Sequence, residues 1–433
     1  MTPQASSLAD IASCLAGYDP QSLRVDLAQD FIAQMLPRLQ QQERLPLRQA
    51  LGRVLAADVI SGLQVPAADN SAMDGYALRA SDLQAGQETR LTLAGTSLAG
   101  SAPRAELAAG ECQRIMTGAL MPPGLDTVVP QEFTRLERAD QADIVVIPPG
   151  LLRAGDNRRL AGEDLALGSL ALPAGRVLRP ADLGLLASLG QAEVSVWRRL
   201  RVAVLSTGDE LRAVGEPLPP GCVYDSNRYT MCAMLERLGV EVLDLGLVRD
   251  DPAALREAFG RAASLADAVI SSGGVSVGEA DHTKRVMAEL GEVMFWRIAM
   301  RPGRPMAVGR IQSEGHTAML FGLPGNPVAV MVTFYAFVRD ALLAMSGASA
   351  APLLMLRAAT TRALRKKAGR TEYQRGFVSR APDGSWQVEI GGNQGSGVLS
   401  SMSQANGLVV LSHEQGDVAT GELVDVLPFD GLI

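Results

Sequence analysis

The sequence predicts a multidomain α/β protein built around a central doubly wound, mainly parallel sheet. Three observations carry that prediction. At 433 residues the chain exceeds one ordinary core, and about 150 residues per domain implies about three domains. From Arg199 onward, short apolar runs alternate with helix-length segments, the pattern of parallel strands joined by crossover helices. From Pro352 onward helical periodicity disappears, and short apolar runs separated by turns such as Pro382-Asp383-Gly384 read as a small antiparallel sheet or barrel.

In chain order, Val25 to Leu39 places Leu27, Phe31, Ile32, Met35 and Leu36 at helical spacing, and Pro46 opens a second short helix. Val54 to Leu63 is strand-like. Val65 to Ala77 reads as a loop from its Pro, Asn, Asp and Gly content, although Met73 and Tyr76 are large for an exposed tip. Arg90 to Pro148 is β-rich, Gly155 to Leu172 is a polar loop, and Pro180 to Leu189 is a helix with proline at its start.

The central alternation then runs Arg201 to Leu205 (strand), Asn227 to Leu238 (helix), Val240 to Leu247 (strand), Pro252 to Ala263 (helix), Ala266 to Ile270 (strand) and His282 to Leu290 (helix). Val293 to Ile298, Pro305 to Val308 and Ala318 to Phe321 add strands, and Val328 to Met345 is a long apolar helix. Leu354 to Ala359, Tyr373 to Ser379, Trp386 to Ile390, Gly407 to Leu411 and Leu423 to Leu427 are the C-terminal strands.

Composition narrows the function. A formal net charge of −7 argues against nucleic acid or an anionic membrane as main partner, so any anion must be held by a local basic cluster. Four cysteines without CxxC spacing and three histidines disfavour a zinc site or a disulfide framework. No uninterrupted apolar run approaches the roughly 20 residues of a membrane span, and no basic-then-apolar leader opens the chain, so a soluble cytoplasmic protein is expected.

The chemistry concentrates in SSGGVSVGEAD, Ser271 to Asp281. Its glycines permit close backbone approach to a ligand, and Ser271, Ser272 and Ser276 add hydroxyl donors between a strand and a helix start, an arrangement suited to an oxyanion. Glu279 and Asp281 are acids that anion storage alone would avoid. Three other polar clusters hold the same topological position: Thr207 to Glu210, Arg249 to Asp251, and Gly322 to Pro327. Parallel strands end on one sheet edge, so these clusters should converge. Arg297, Arg301 and Arg304 surround the Pro302-Gly303 turn and supply positive charge, while the crowded acids Glu210, Asp250 and Asp281 are expected to work by perturbed protonation or by binding a divalent cation. Asp209 and Asp251 read as turn and cap residues.

DNSAMDGYA (Asp69 to Ala77), IMTGA (Ile115 to Ala119), STGDEL (Ser206 to Leu211), SGGVSVGEADHTK (Ser272 to Lys284), MRPGRP (Met300 to Pro305), GLPGNPVA (Gly322 to Ala329) and GRTEYQRG (Gly369 to Gly376) occur in this order. Together they resemble the molybdopterin molybdenumtransferase family, which is similar to the E domain of gephyrin. The resemblance implies an elongated helical domain from residues 1–46 and 146–198, an inserted β-rich domain at 47–145, an α/β molybdopterin-binding domain at 199–348 and a C-terminal β-barrel at 349–433.

It further implies a homodimer that inserts molybdenum from molybdate into adenylylated molybdopterin with Mg2+, forming molybdenum cofactor and releasing AMP. Asp281, Glu210 and Asp74 would be catalytic, with Asp74 and Thr117 completing the cleft of the partner subunit. Substrate would be held by Thr117, Thr207, Gly208, Gly273, Gly274, Ser276, Gly278, Arg297, Arg301, Arg304 and Pro324. Molybdate would lie at Arg370 and Ser396, and Asp250 would organise the metal. The upstream molybdopterin adenylyltransferase and acceptor molybdoenzymes are the implied protein partners. In the basic motif many relatives carry lysine where this chain has arginine, which keeps the charge but cannot exchange a proton. The competing readings are a gephyrin-like dimeric scaffold without catalysis and another nucleotide-processing enzyme sharing only the α/β domain.

Overall fold

The computed structural model describes residues 7–101, 106–139, 142–275, 282–350 and 353–429. Its centre is a six-stranded sheet in the order Glu241–Val248, Arg201–Thr207, Ala268–Ser272, His316–Leu323, Pro305–Ser313 and Gly291–Arg297. The first four strands are mutually parallel, and Pro305–Ser313 runs antiparallel to both of its neighbours. Val202 to Leu205 and Ala268 to Ile270 are fully buried because both sheet faces are covered, which is why they read as unbroken apolar runs. One face packs with the Ser226–Leu238 helix and the helical run from Pro327; the other packs with Pro252–Leu265 and His282–Leu290. Asp225 and Asp251 cap two of these helices by accepting backbone N–H bonds in the first turn.

The Val25–Met35 helix buries Val25, Ala28, Phe31, Ile32 and Met35 against this domain. Phe31 meets Trp296 edge-on at 5.0 Å. Beyond it, chain segments on either side of a second six-stranded sheet return beside one another: Gln42–Pro46 pairs with Glu193–Trp197, Val59–Ile60 with Leu170–Leu172, and Asn70–Ser71 with Arg158–Arg159. The intervening sheet runs Thr127–Pro130, Gly75–Leu78, Glu111–Ile115, Thr89–Ser97, Ala142–Ile147, Arg135–Ala139.

At the C-terminus, Thr371–Arg380, Trp386–Ile390, Leu356–Thr360, Leu423–Pro428 and Gly407–Leu411 close into a barrel, since Thr371–Arg380 also pairs with Gly407–Leu411. The Met300–Arg301 strand of the α/β domain joins this barrel by pairing in parallel with Thr371 and Glu372. A short backbone seam therefore ties the basic turn to the GRTEYQRG motif.

Two local expectations are corrected, and a third, the long apolar helix, holds with an internal irregularity. Only Val59–Ile60 of the Val54–Leu63 run forms a strand, with single bridges at Val54 and Leu55, because its partner segment meets it in short stretches. Pro46 closes a strand, and the helix after it is the single 3-10 turn Leu47–Gln49. The long apolar helix is Pro327–Thr333, then a π-helical turn at Phe334–Val338, then Arg339–Met345. This 19-residue helix holds an 18-residue stretch of mean hydropathy 1.7, long and apolar enough to cross a membrane by composition, yet 72% of that stretch is buried inside the protein as a core helix.

Candidate active site

The four parallel strands deliver their C-terminal loops to one edge, where they meet the basic turn and a barrel loop around a cleft of about 700 Å³. Thr207, Gly208, Glu210 and Asp250 form one wall. Gly273, Gly274, Pro324 and Asn326 form the floor, Arg301 and Arg304 the basic side, and Arg370, Gln394 and Ser396 the barrel side.

The glycines serve close approach. Gly273 and Gly274 adopt φ of +92° and +66°, and a Cβ on either would lie 2.5 Å from Thr207 O or from the Thr283 side chain. A side chain at either position would strike these neighbouring atoms, so glycine is what lets the two loop backbones pack this closely at the cleft floor. Buried Asn227, at the start of the Ser226–Leu238 helix, donates from Nδ2 to Ser272 Oγ and to Gly325 O, each at 2.7 Å, and so ties two floor loops together. Asn227 carries no sequence signal beyond a polar residue in a helix's first turn, and sequence reasoning passed it over. Among the described residues the buried Thr207 Oγ1, Ser271 Oγ and Asn227 Oδ1 have no hydrogen-bond partner, so polar capacity remains beside the cleft.

The acids divide as their types suggest. Asp251 accepts from the N–H groups of Ala253 and Ala254 at 3.0 and 2.9 Å, and Asp209 accepts from Asp250 N–H at 3.3 Å, so both organise backbone. Asp250 Oδ1 receives the Thr283 hydroxyl at 3.5 Å. Glu210 folds back over Gly208, its Oε2 2.6 Å from where a Cβ would stand. Among the described residues, no group of three or more His, Cys, Asp or Glu gathers at one point, and Glu210 and Asp250 are the acids on the cleft wall. All four cysteines are free; burial pushes the Cys112 thiol up to about 12 and that of Cys232 to about 11.

The basic residues also divide. Arg301 and Arg304 line the cleft and form no ion pair among the described residues. Arg297 is not among the cleft-lining residues: its backbone bonds to Pro20 and Leu23, and its side chain is exposed at the end of its strand. Arg370 is held by Glu372, whose buried Oε1 receives Nε at 2.7 Å and Nη2 at 2.6 Å.

Asp74 and Thr117 lie together just beyond the paired strand ends Gly75 and Ile115 of the second sheet, and neither lines this cleft. Thr117 donates to Asp74 Oδ1 from both its N–H and its hydroxyl, each at 2.7 Å, and these bonds hold the exposed Asp74 carboxyl below the usual range. Ser276, Gly278, Glu279 and Asp281 lie outside the described residues.

Comparison with known proteins accounts for nearly the whole chain. Residues 23–190 match the MoeA N-terminal region (domain I and II), 203–344 the probable molybdopterin binding domain, and 357–429 the MoeA C-terminal region (domain IV). A Haemophilus influenzae protein named molybdopterin molybdenumtransferase is 44% identical over 412 residues, covering 95% of this chain and 100% of the relative. A Nostoc protein of the same name is 38% identical, covering 95% of this chain and 94% of its own. A crystal structure of a molybdopterin biosynthesis protein from Pyrococcus horikoshii superimposes with a TM-score of 0.80 at 27% identity, covering 94% of this chain and 100% of that one. The likeness extends through the N-terminal and C-terminal regions and is not confined to the α/β domain.

Proposed function

The chain belongs to the molybdopterin molybdenumtransferase family, an enzyme of molybdenum cofactor biosynthesis, and from that premise we propose that it inserts molybdenum from molybdate into adenylylated molybdopterin and releases AMP. The observation that carries the proposal is the junction of two different oxyanion-suited surfaces in one cleft. The glycine floor with Arg301 and Arg304 suits the phosphates of a nucleotide-linked pterin, and Arg370 with Ser396, across the barrel seam, suits a second, tetrahedral dianion.

The residues divide the work accordingly. Thr207, Gly208, Gly273, Gly274 and Pro324, joined by Ser276 and Gly278, hold the pterin phosphate and AMP moiety. The guanidinium groups of Arg301 and Arg304 offset charge that develops as the pyrophosphate bond breaks. Arginine stays protonated throughout, so proton delivery to the departing oxo ligands falls to a carboxylic acid, Glu210 or Asp281. Glu210 and Asp250 present hard oxygen donors on the cleft wall, the type that takes Mg2+ when substrate phosphates complete its shell. When bound, Mg2+ supplies further charge neutralisation at the phosphates.

Two copies of the chain complete each site: the Asp74–Thr117 pair, remote from its own cleft, serves the cleft of a partner. The substrate comes from a molybdopterin adenylyltransferase and the product passes to acceptor molybdoenzymes. Arg370→Ala and Ser396→Ala test the division of the cleft. Each is expected to raise the KM for molybdate at least tenfold while leaving binding of adenylylated molybdopterin within about threefold. Equal losses toward both ligands would contradict it.

A further inference from the structure

The GRTEYQRG motif holds a second arginine, Arg375, which does not itself line the cleft. Arg375, on the Thr371–Arg380 strand, is 1% exposed and is among the largest fully buried side chains of the chain. A buried charge is costly unless it is paired, yet no ion pair to Arg375 exists among the described residues.

Its side-chain bonds reach the loop after Trp386–Ile390 and the short helix Ser400–Gln404 that follows it. Nε donates to Ser401 Oγ at 3.0 Å, and Nη2 donates to Gly395 O at 2.9 Å and Asn393 O at 3.3 Å. The Arg375 N–H donates to Gln394 Oε1 at 2.8 Å, and Gln394 Nε2 returns a bond to Arg375 O at 3.1 Å. Ser401 in turn donates to Val398 O at 2.6 Å. The turn that carries Gln394, Gly395 and Ser396 into the cleft is thus wrapped around a single guanidinium.

Neutral donors would satisfy those carbonyls, so the charge itself needs an explanation. Burial, and next the like charge of Arg301, pull the Arg375 guanidinium below its ordinary pKa, and Arg301 lines the same cleft. Arg370, by contrast, has its own buried counter-ion in Glu372. Among the described residues neither Arg301 nor Arg375 has an ion-pair partner, and the repulsion between these like charges is one that an anion bound in the cleft would relieve.

We propose that Arg375 is a positioning residue of the oxyanion subsite, a buried cation that holds the Asn393 to Ser396 turn against the cleft and whose charge is balanced by the bound molybdate. The proposal rests on the reading that the barrel side of the cleft takes molybdate. A lysine in its place would keep the charge but lose the planar fork that spans Ser401 and the two carbonyls.

Calorimetric titration of the full-length protein with molybdate, and separately with AMP, tests it. Arg375→Gln is expected to weaken molybdate at least tenfold, the scale of one charge-assisted hydrogen bond, and AMP less than threefold. Arg375→Lys should fall between Arg375→Gln and wild type. Arg375→Gln combined with Ser396→Ala should lose less than the product of the single losses, because both act through one turn. Where Arg375→Gln does not fold, Ser401→Ala keeps the charge, loosens the turn, and is expected to weaken molybdate about threefold. Wild-type protein that binds molybdate while Arg375→Gln or Ser401→Ala binds it equally well, or loses molybdate and AMP in equal measure, overturns the inference alone. Wild-type protein that binds no molybdate overturns the functional reading and this inference with it.

Discussion

Replacing Gly273 by alanine should damage both the fold and the cleft, by an amount that follows from its surroundings. At φ +92° an L side chain costs roughly 1–2 kcal/mol. The new Cβ would stand 2.5 Å from the Thr207 carbonyl oxygen and 3.1 Å from its Oγ1. Thr207 is buried at the end of a central strand, paired in register with Val248, so the carbonyl cannot swing aside as a flexible side-chain tip would. Restoring ordinary van der Waals distance requires the strand ends to part by on the order of an ångström, an overpacking cost of roughly 1–3 kcal/mol. The predicted loss is about 2–5 kcal/mol, a large share of the 5–15 kcal/mol that holds a typical domain together.

Urea unfolding measures that loss, with Gly325→Ala as comparison, since a Cβ there meets nothing within 4 Å and its stability should stay within about 0.5 kcal/mol of wild type. Gly273→Ala should also weaken AMP at least tenfold, because the displaced backbone is the surface proposed to meet phosphate. Stability within about 0.5 kcal/mol of wild type together with unchanged AMP affinity would refute the close-approach reasoning.

Asp225→Ala removes a buried carboxylate that accepts from Ser206 Oγ at 3.0 Å, Arg228 Nε at 2.9 Å and the capped Arg228 N–H at 3.2 Å; a loss of about 3–5 kcal/mol is expected by urea unfolding, and a loss below about 1 kcal/mol would contradict it. Thr117→Val deletes the hydroxyl but not the N–H that depresses the Asp74 pKa, so the carboxyl protonates at higher pH. If ionised Asp74 is required, the acid limb of kcat/KM moves upward in pH, and an unmoved limb would show that Asp74 does not set it. Asp74→Asn and Asp281→Asn chains, each inactive alone, should regain partial activity when mixed, through one intact cleft per heterodimer; mixed dimers without recovery would assign Asp74 to its own subunit.

The central domain was legible because its strands are buried on both faces, so Val202 to Leu205 and Ala268 to Ile270 stand out as apolar runs with polar clusters at their ends. Parallel topology then forces those clusters together, and Thr207, Glu210, Asp250, Gly273 and Pro324 do meet in one cleft. What escaped depends on contacts without local periodicity. The two-residue pairings of Asn70–Ser71 with Arg158–Arg159 and of Met300–Arg301 with Thr371–Glu372 are too short to leave a pattern, yet the second creates the seam that brings Arg370 to the cleft. Asn227 and Arg375 act through partners distant in sequence, so residue type alone did not mark them. Arg297 was grouped with Arg301 and Arg304 by spacing, whereas its strand register sets it opposite Pro305, and it does not join them in lining the cleft.

AMP release from adenylylated molybdopterin by the purified protein, followed with and without molybdate in the presence of Mg2+, is the most direct test of the proposed reaction. Release that depends on molybdate, accompanied by formation of molybdenum cofactor, is the predicted result. Adenylylated molybdopterin that remains intact with molybdate and Mg2+ both present would contradict it.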